Sequence, residues 1–362
     1  MGRGLRARLG ALRIVWAITA RDVVDAAQNR VFLSVVFGVL LLSLTRSGLA
    51  ALVPSGPLPV LIVVDEGGEA WAQALQEQGR VRAYSAPTAD AMREGLVGPG
   101  SRGVLGVVIP AGLRALPGDA VLAGYYAHQA DARDVAELGS LAGEAIGALL
   151  GRSVRVETAR HAVYPPTGGN EPFMESATFV IAVLAVATFL VPYLMVEEKE
   201  THTIDALLLS PAGTGEIVAG KALAGVTYGV LAGGVLMATS HRLIVHWDVA
   251  LAALAASVVL GVGLGLLLGL SFATVQSMSL WSGLIMFLLI APMLLGMFAG
   301  AAQLPAMAQV ARWVPTSLLA RGFRAAFWEV VPPQAWAWLG GACLWAAPLY
   351  AGAAWRLRRL SR

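Results

Sequence analysis

Charged residues are scarce in this sequence. Only 14% of its 362 residues are Asp, Glu, Lys or Arg, whereas 57% are hydrophobic. Soluble domains carry charge on about a quarter of their residues, and a chain of this length still needs a wetted surface, which a larger core cannot replace. The composition therefore excludes an ordinary soluble protein and predicts an α-helical polytopic membrane protein with lipid around much of its surface.

Lysine and cysteine are scarcer still. Of the 26 basic residues only Lys199 and Lys221 are lysines, and the arginines collect at the two ends of the chain. Basic tails of this kind face an anionic membrane leaflet, so the net charge of +3 does not indicate nucleic acid as a partner. The single cysteine, Cys343, excludes an intramolecular disulfide.

Residue clusters that could carry catalysis or hold a metal do not stand out. His241 and His246 have a spacing that does not place two metal ligands on one helix face. The stretch GEIVAGKA begins like a phosphate-binding loop, but Ala222 stands where magnesium needs Ser or Thr, and no strand precedes it. The sequence therefore predicts no catalytic residue, no metal site and no ATP site in this chain.

Six apolar runs are long enough to cross a bilayer, which takes about 20 helical residues. The first occupies residues 29–53 and lacks a small-residue cleavage site, so it is predicted to be a retained span. The second covers residues 173–196, spans three to five lie within residues 217–302, and the sixth covers residues 335–355. The sequence thus predicts six transmembrane helices.

Residues 54–165 have a different pattern. Short apolar runs such as PVLIVVDE and RGVLGVVIP alternate with helix-like segments such as EAWAQALQEQG, and turn residues separate them. This alternation predicts a compact α/β domain inserted between spans one and two, with VYPPTGGNEP as its exit linker.

The distribution of basic residues predicts the orientation. With six spans, one side holds the six arginines before Val31, both lysines and the four arginines after Trp355, and the short segments of the other side hold only five arginines. This asymmetry predicts cytoplasmic termini and an extracytoplasmic α/β domain. Residues 1–28 would then be a cytoplasmic arm with an interfacial elbow helix, and residues 356–362 a basic cytoplasmic tail.

Residues 303–334 fit neither a span nor an ordinary loop. They are apolar but interrupted by Pro305 and Pro315, and they carry Arg312, Arg321 and Arg324. Such breaks survive in lipid only where neighbouring helices shield the backbone. We therefore predict re-entrant helices in the outer leaflet.

Residues 197–216 are the only polar cytoplasmic loop that this topology places between spans. Ile204, Leu207 and Leu208 follow a helical spacing that Pro211 ends, and three carboxylates precede them, where they would favour the helix dipole. The pattern predicts a short amphipathic helix that fits a groove of a soluble partner. A solvated loop with a chance run of charge explains the pattern equally well.

Glycine recurs at every fourth position in two predicted spans. Small residues at this spacing let helix backbones touch in lipid. A chain with 41 glycines could contain one such row by chance, but two rows on adjacent spans favour close packing. The rows are Gly225, Gly229 and Gly233 in span three, and Gly261, Gly265 and Gly269 in span four.

The stretch that begins EEKETHTIDALLLSP resembles the signature of ABC-2 type transporter permeases, the membrane subunits of ABC exporters. In that family span two ends in E-K-E, a T-x-x-x-L-L-x-S-P segment follows, and G-K leads into span three. The matching residues are Glu198, Lys199, Glu200, Thr203, Leu207, Leu208, Ser210, Pro211, Gly220 and Lys221.

A second similarity to the same family lies between spans five and six, and the resemblance covers essentially the whole chain. The matching residues there are Gly296, Pro305, Pro315 and Arg324. The sequence departs from the family at His202, where Arg or Gly is more common. A long outer domain between spans one and two is typical of the sodium- and drug-exporter branch.

The resemblance implies a transporter subunit that is not itself an enzyme. Residues from Glu197 to Pro211 would form the coupling helix, seated in a cleft of a cytoplasmic ABC ATPase that binds ATP and Mg²⁺, so this chain would hold no cofactor. The permease would act in the bacterial plasma (inner) membrane as a homodimer or with a sister permease.

The substrate is predicted only by class. Since the predicted spans carry almost no charge, we expect a small amphipathic, lipid-like or drug-like substrate, with Na⁺ as a further option. The alternative is a non-transporting receptor or scaffold whose outer domain binds a ligand or partner.

Overall fold

The computed structural model describes residues 12–24, 37–38, 41, 59–97, 104–159, 161–165, 167, 173–201, 214–298 and 309–360. These residues form two compact units. An α/β unit lies within Leu44–Glu171 and includes Phe327–Glu329, and the remaining segments form a helical unit. Helices are numbered along the chain, starting with α1 at residues 12–24. The predicted first span, residues 29–53, falls almost entirely outside the described residues.

The α/β unit contains every strand and helix that the alternating pattern predicts. Its strands are β1 (Val60–Asp65), β2 (Arg82–Ala86), β3 (Val104–Ile109), β4 (Ala120–Ala127), β5 (Val154–Glu157) and β6 (Ala162–Val163). Its helices are α2 (Trp71–Glu77), α3 (Ala89–Val97) and α4 (Ala132–Leu150), with a short 3-10 helix at Leu113–Ala115. Strand β6 includes Val163, which the sequence pattern assigned to the exit linker.

The strands form one sheet in the order β2-β1-β3-β4-β5, and β6 pairs with β4. Strand β1 is parallel to both β2 and β3. Strand β4 is antiparallel to β3, with Gly106 opposite Tyr125, and both β5 and β6 run parallel to β4. The unit is therefore a mixed sheet whose direction reverses once, between β3 and β4.

Both faces of the sheet are covered by helices. Alternate residues of a strand point to opposite sides, so neighbouring residues belong to different cores. Val63 of β1 lies in a core with Trp71 of α2 and Ile146 of α4. Its neighbour Val64 lies in a second core with Met92 of α3. The α/β unit thus has the three-layer construction typical of folds that alternate strands and helices.

The helical unit is built mainly from long apolar helices. They are α5 (Phe173–Glu200), α6 (Thr214–Thr239), α7 (Trp247–Ser271), α8 (Val275–Phe298) and α10 (Gln334–Leu360), with the shorter α9 (Pro315–Ala325) between α8 and α10. Helix α5 runs four residues beyond the predicted end of span two, through Glu200.

Four described helices, α5 to α8, are long and apolar enough to cross a membrane. Helices α5 and α7 form the centre of the unit, since 78% and 72% of their most apolar stretches are buried, against 39% for α6 and 22% for α8. Helix α10 covers the predicted sixth span and has 27 residues. It is not among the four, because its tryptophans, glycines, tyrosine and proline dilute its apolar character.

Helix α9 begins at Pro315, whose missing N–H is no loss at the first position of a helix. It is almost wholly buried within the helical unit. The ring of Phe323 stacks on Phe179 of α5 with ring centres 5.0 Å apart, and the Thr316 hydroxyl donates to the carbonyl of Leu289 in α8. The proline in this segment therefore marks the start of a short helix.

Candidate functional site

The charged stretch of the predicted coupling segment lies in the last turn of α5. Glu197, Glu198, Lys199 and Glu200 continue this helix without a break. The prediction that these carboxylates open a new helix is wrong, because they stand at the C-terminal end of a 28-residue helix. The other members of the predicted segment lie outside the described residues; they are Thr203, Leu207, Leu208, Ser210 and Pro211.

Lys199 binds the C-terminal end of α7. Its Nζ donates to the carbonyl oxygens of Gly269 at 2.6 Å and Phe272 at 3.2 Å. The last carbonyls of a helix have no partner within the helix and carry partial negative charge, so an ammonium group stabilises them. Lys199 thus fastens α5 to the end of α7.

Glu200 binds the beginning of the next helix. Its Oε1 accepts a hydrogen bond of 2.8 Å from the backbone N–H of Val275, the first residue of α8. A carboxylate at this position satisfies an otherwise unpaired N–H and favours the positive end of the helix dipole. Two successive side chains of α5 therefore hold the two helix ends that flank the α7–α8 turn.

Glu198 belongs to a buried ion cluster centred on Lys221 of α6. The ammonium lies 2.9 Å from Oε2 of Glu198 and 3.3 Å from Oδ2 of Asp22 in α1. It also donates to the carbonyl oxygen of Leu194 at 3.3 Å. The Lys221 side chain is 2% exposed, that of Asp22 7% and that of Glu198 21%. Glu197, by contrast, accepts from a hydroxyl of its own helix, that of Tyr193, at 2.9 Å.

Helix α1 packs on the same part of α6. The Thr19 hydroxyl donates to the carbonyl of Gly220 at 3.1 Å, and a Cβ atom at Gly220 would lie only 2.6 Å from Cγ2 of Ile18. The Tyr228 hydroxyl donates to the carbonyl of Val23. The Gly220–Lys221 pair of the family signature therefore forms the contact surface for α1.

The sequence pattern missed Asp22, which it treated only as part of an amphipathic arm. One signal could have pointed to it. A lysine inside an apolar run must be paired to be tolerated, and Asp22 is one of the two carboxylates in the N-terminal arm.

The glycine rows lie where helix backbones approach each other. Added Cβ atoms at Gly225, Gly261, Gly265 and Gly269 would meet α5, and those at Gly229 and Gly233 would meet α7. The closest backbone approach is at Gly265, where the Cβ would be 2.6 Å from the carbonyl oxygen of Ala187. The six glycines thus bring α5, α6 and α7 together around α5.

Two arginines of the predicted re-entrant segment lie beside aromatic rings of the helical unit. The guanidinium of Arg321 is 5.9 Å from the ring centre of Trp338, and that of Arg324 is 5.6 Å from Phe173. Burial, and then the charge of Arg321, lowers the pKa of Arg324 to about 10. Arg324 therefore stays protonated at neutral pH.

Among the described residues, no three His, Cys, Asp or Glu side chains lie close enough together to hold a metal ion. Cys343 is an exposed free thiol. Charged groups come together at the ends of α5 to α8, where they bind helix termini and one another.

These features define a multi-pass helical membrane protein with an added α/β unit. A family described as ABC-2 family transporter protein matches residues 16–347, so the chain belongs to the ABC-2 transporter family. It is a permease subunit without ATPase activity of its own, and permeases of this kind generally pair with ATPase subunits. No curated protein matches the chain.

Proposed function

We propose that this chain is the membrane subunit of an ABC exporter that receives mechanical force through the segment following α5. Two copies, or one copy and a sister permease, would bind two cytoplasmic ATPase subunits. Closure of the ATPases on ATP and Mg²⁺ would displace residues 202–213 and, through α5, the helices packed on it.

The observation that carries this proposal is the attachment of the last turn of α5 to three other helices. Glu198 reaches Lys221 of α6, Lys199 reaches the end of α7, and Glu200 reaches the start of α8. A solvated loop would need none of these contacts. A segment that transmits force needs a rigid connection to the membrane helices at its base, and these side chains provide it.

The topology that we propose has six spans, with both termini in the cytoplasm of a bacterial inner membrane and the α/β unit outside. It rests on the asymmetry of basic residues between the two sides. Helix α10 would be the sixth span, and α9 would be the outer-leaflet segment of residues 303–334.

The substrate that we propose is a small amphipathic, lipid-like or drug-like molecule. The four apolar helices carry few charged side chains, and the two lysines among them, Lys199 and Lys221, are bound to other helices. A bare ion such as Na⁺ would need oxygen ligands at mid-membrane, and the described residues there are largely hydrocarbon.

Co-purification with the ATPase tests the proposed coupling. The tagged permease would be co-expressed with a candidate ABC ATPase from the same genome, as wild type, Leu207→Ala and Leu344→Ala. Loss of a leucine from a complete contact should weaken association by about 2 kcal/mol, or roughly 30-fold. Leu344 of α10 is 74% exposed, so its loss should leave association unchanged.

The result that contradicts the proposal is equal recovery of the ATPase with Leu207→Ala and wild type. If no ATPase accompanies even the wild type, the receptor or scaffold alternative is favoured, and the α/β unit becomes the part to examine for a ligand.

A further inference from the structure

The ion cluster around Lys221 joins three segments that are far apart in the sequence. Asp22 comes from α1, Glu198 from the last turn of α5 and Lys221 from the first turns of α6. The single ammonium donates hydrogen bonds to Asp22 and to the carbonyl of Leu194, and it forms an ion pair with Glu198 at 2.9 Å. Loss of one partner leaves the buried ammonium with fewer groups to offset its desolvation.

Stability alone does not account for a buried cluster of this kind. Replacement of a buried ion cluster by apolar side chains of similar volume is often neutral or stabilising, because desolvation offsets the attraction between the charges. A methionine at position 221 would fill similar space without that desolvation. The ions do fix one arrangement of the three segments, because each partner must meet the others at hydrogen-bond distance.

Helix α1 depends on this surface for its position. Leu12 is 65% exposed and Trp16 67%, so one face of α1 contributes little to its attachment within the described structure. The buried residues of the helix, Thr19 and Asp22, are those that contact Gly220 and Lys221. Of these contacts, the one between Asp22 and Lys221 is the strongest, because it joins two charged groups.

We propose that Lys221 is a positioning residue for transport, which holds α1 and the last turn of α5 to α6 so that the three move together. This inference rests on the proposed function, because the displacement that Lys221 passes on is the one that the ATPase delivers to the residues after Thr201. Force applied to the residues after Thr201 then reaches α1 through Glu198, Lys221 and Asp22, and not only through the membrane helices.

A distance measurement between α1 and the end of α5 tests the link in the permease alone. Spin labels would be placed on Trp16→Cys and Thr201→Cys in a Cys343→Ser background, since both positions are exposed. The variants are Lys221→Met, Lys221→Arg and a neutral triple variant, Asp22→Asn with Glu198→Gln and Lys221→Met. Asp248→Asn, an exposed carboxylate in the first turn of α7, is the matched control.

The wild type and Asp248→Asn should give one narrow distance distribution, and Lys221→Arg should keep it because the charge is retained. The triple variant should broaden the distribution even though it leaves no unpaired buried charge and folds normally. Lys221→Met alone should broaden it as well. A narrow distribution in the triple variant overturns the proposal, because the cluster would then have no role in holding α1 to α5.

The second measurement uses the complex with the ATPase, trapped with ATP, Mg²⁺ and vanadate. In the wild type the distance should stay narrow and unchanged on trapping, whereas in the triple variant it should change. In the triple variant, the stimulation of ATP hydrolysis by the permease should fall by about 5-fold or more. The proposal is overturned if the triple variant shows both the wild-type stimulation of ATP hydrolysis and the wild-type distance.

The two arms separate this inference from the proposed function. If no ATPase binds the wild type, the proposed function fails, and the distances in the permease alone still decide whether Lys221 holds α1 to α5. If the ATPase binds but the triple variant behaves as wild type in both arms, the proposed function stands and the role of Lys221 is refuted.

Discussion

Gly265 of α7 lies so close to Ala187 of α5 that a Cβ atom on the glycine would be 2.6 Å from the alanine's carbonyl oxygen. The obstacle is backbone, which cannot turn aside as a side chain can. At Gly265 the two central helices of the unit therefore approach each other backbone to backbone, as small residues permit in membranes.

We predict that Gly265→Ala destabilises the helical unit by about 1–3 kcal/mol, because the added methyl group forces α5 and α7 apart. Gly234→Ala in α6 is the control, since a Cβ atom added there would have no other atom within 4 Å. Thermal unfolding of the purified protein in detergent would measure both. Equal stability of the two variants would show that the helices can separate at no cost.

A glycine in the α/β unit offers a parallel test. A Cβ atom at Gly143 of α4 would lie 2.5 Å from the carbonyl oxygen of Val154, whereas one at Gly139 would make ordinary contacts at 3.4 Å or more. We expect residues 59–165, expressed alone, to fold and to melt cooperatively. Gly143→Ala should lower the melting temperature, with a cost of about 1–3 kcal/mol, and Gly139→Ala should not. An unfolded wild-type fragment would contradict the first expectation.

Lys199 should matter for stability as well as for coupling. Lys199→Met removes a charged donor from the carbonyls of Gly269 and Phe272, which should cost about 1.5–3 kcal/mol. Lys199→Arg keeps the charge and should recover part of the loss. Thermal unfolding in detergent at constant salt would compare the three proteins. If Lys199→Met and the wild type have the same melting temperature, the expectation is contradicted, and water replaces the ammonium group at the end of α7.

The proposed topology predicts which cysteines an impermeant maleimide can reach on intact cells. In a Cys343→Ser background, Glu77→Cys in α2 should be labelled, and Arg359→Cys at the end of α10 should be labelled only after permeabilisation. Both positions are exposed, so the membrane alone decides the result. Labelling of Arg359→Cys on intact cells would reverse the orientation derived from the basic residues.

The elements of the α/β unit were predictable from sequence because each depends on a local pattern. The reversal at β4 was not predicted, although a signal was present. Parallel strands need a crossover of a dozen or more residues, and the connection between Ile109 and Ala120 contains only the short 3-10 helix at Leu113–Ala115. A connection of that length favours an antiparallel neighbour.

The charged end of α5 shows the limit of local patterns. Three carboxylates among four residues suggest the start of a helix, because negative charge is favourable at the N-terminus of a helix and unfavourable at its C-terminus. The structure places them at a C-terminus because Lys221, Val275 and Tyr193 supply partners there. The sequence identified the residues, but their partners depend on tertiary contacts, and Asp22 and Lys221 are 199 positions apart.

The reversal at β4 has a consequence for how this protein could have arisen. Val60 pairs with Val104, the β3–β4 register continued from Gly106 and Tyr125 brings Val104 opposite Ala127, and Ala127 pairs with Val163. The chain therefore enters and leaves the α/β unit at the same end of its strands, at positions three strands apart. An insertion whose two ends lie at the same end of its sheet can be gained, lost or exchanged within a single loop of its host. Recombination at that loop would give relatives a different accessory unit on the same set of membrane helices.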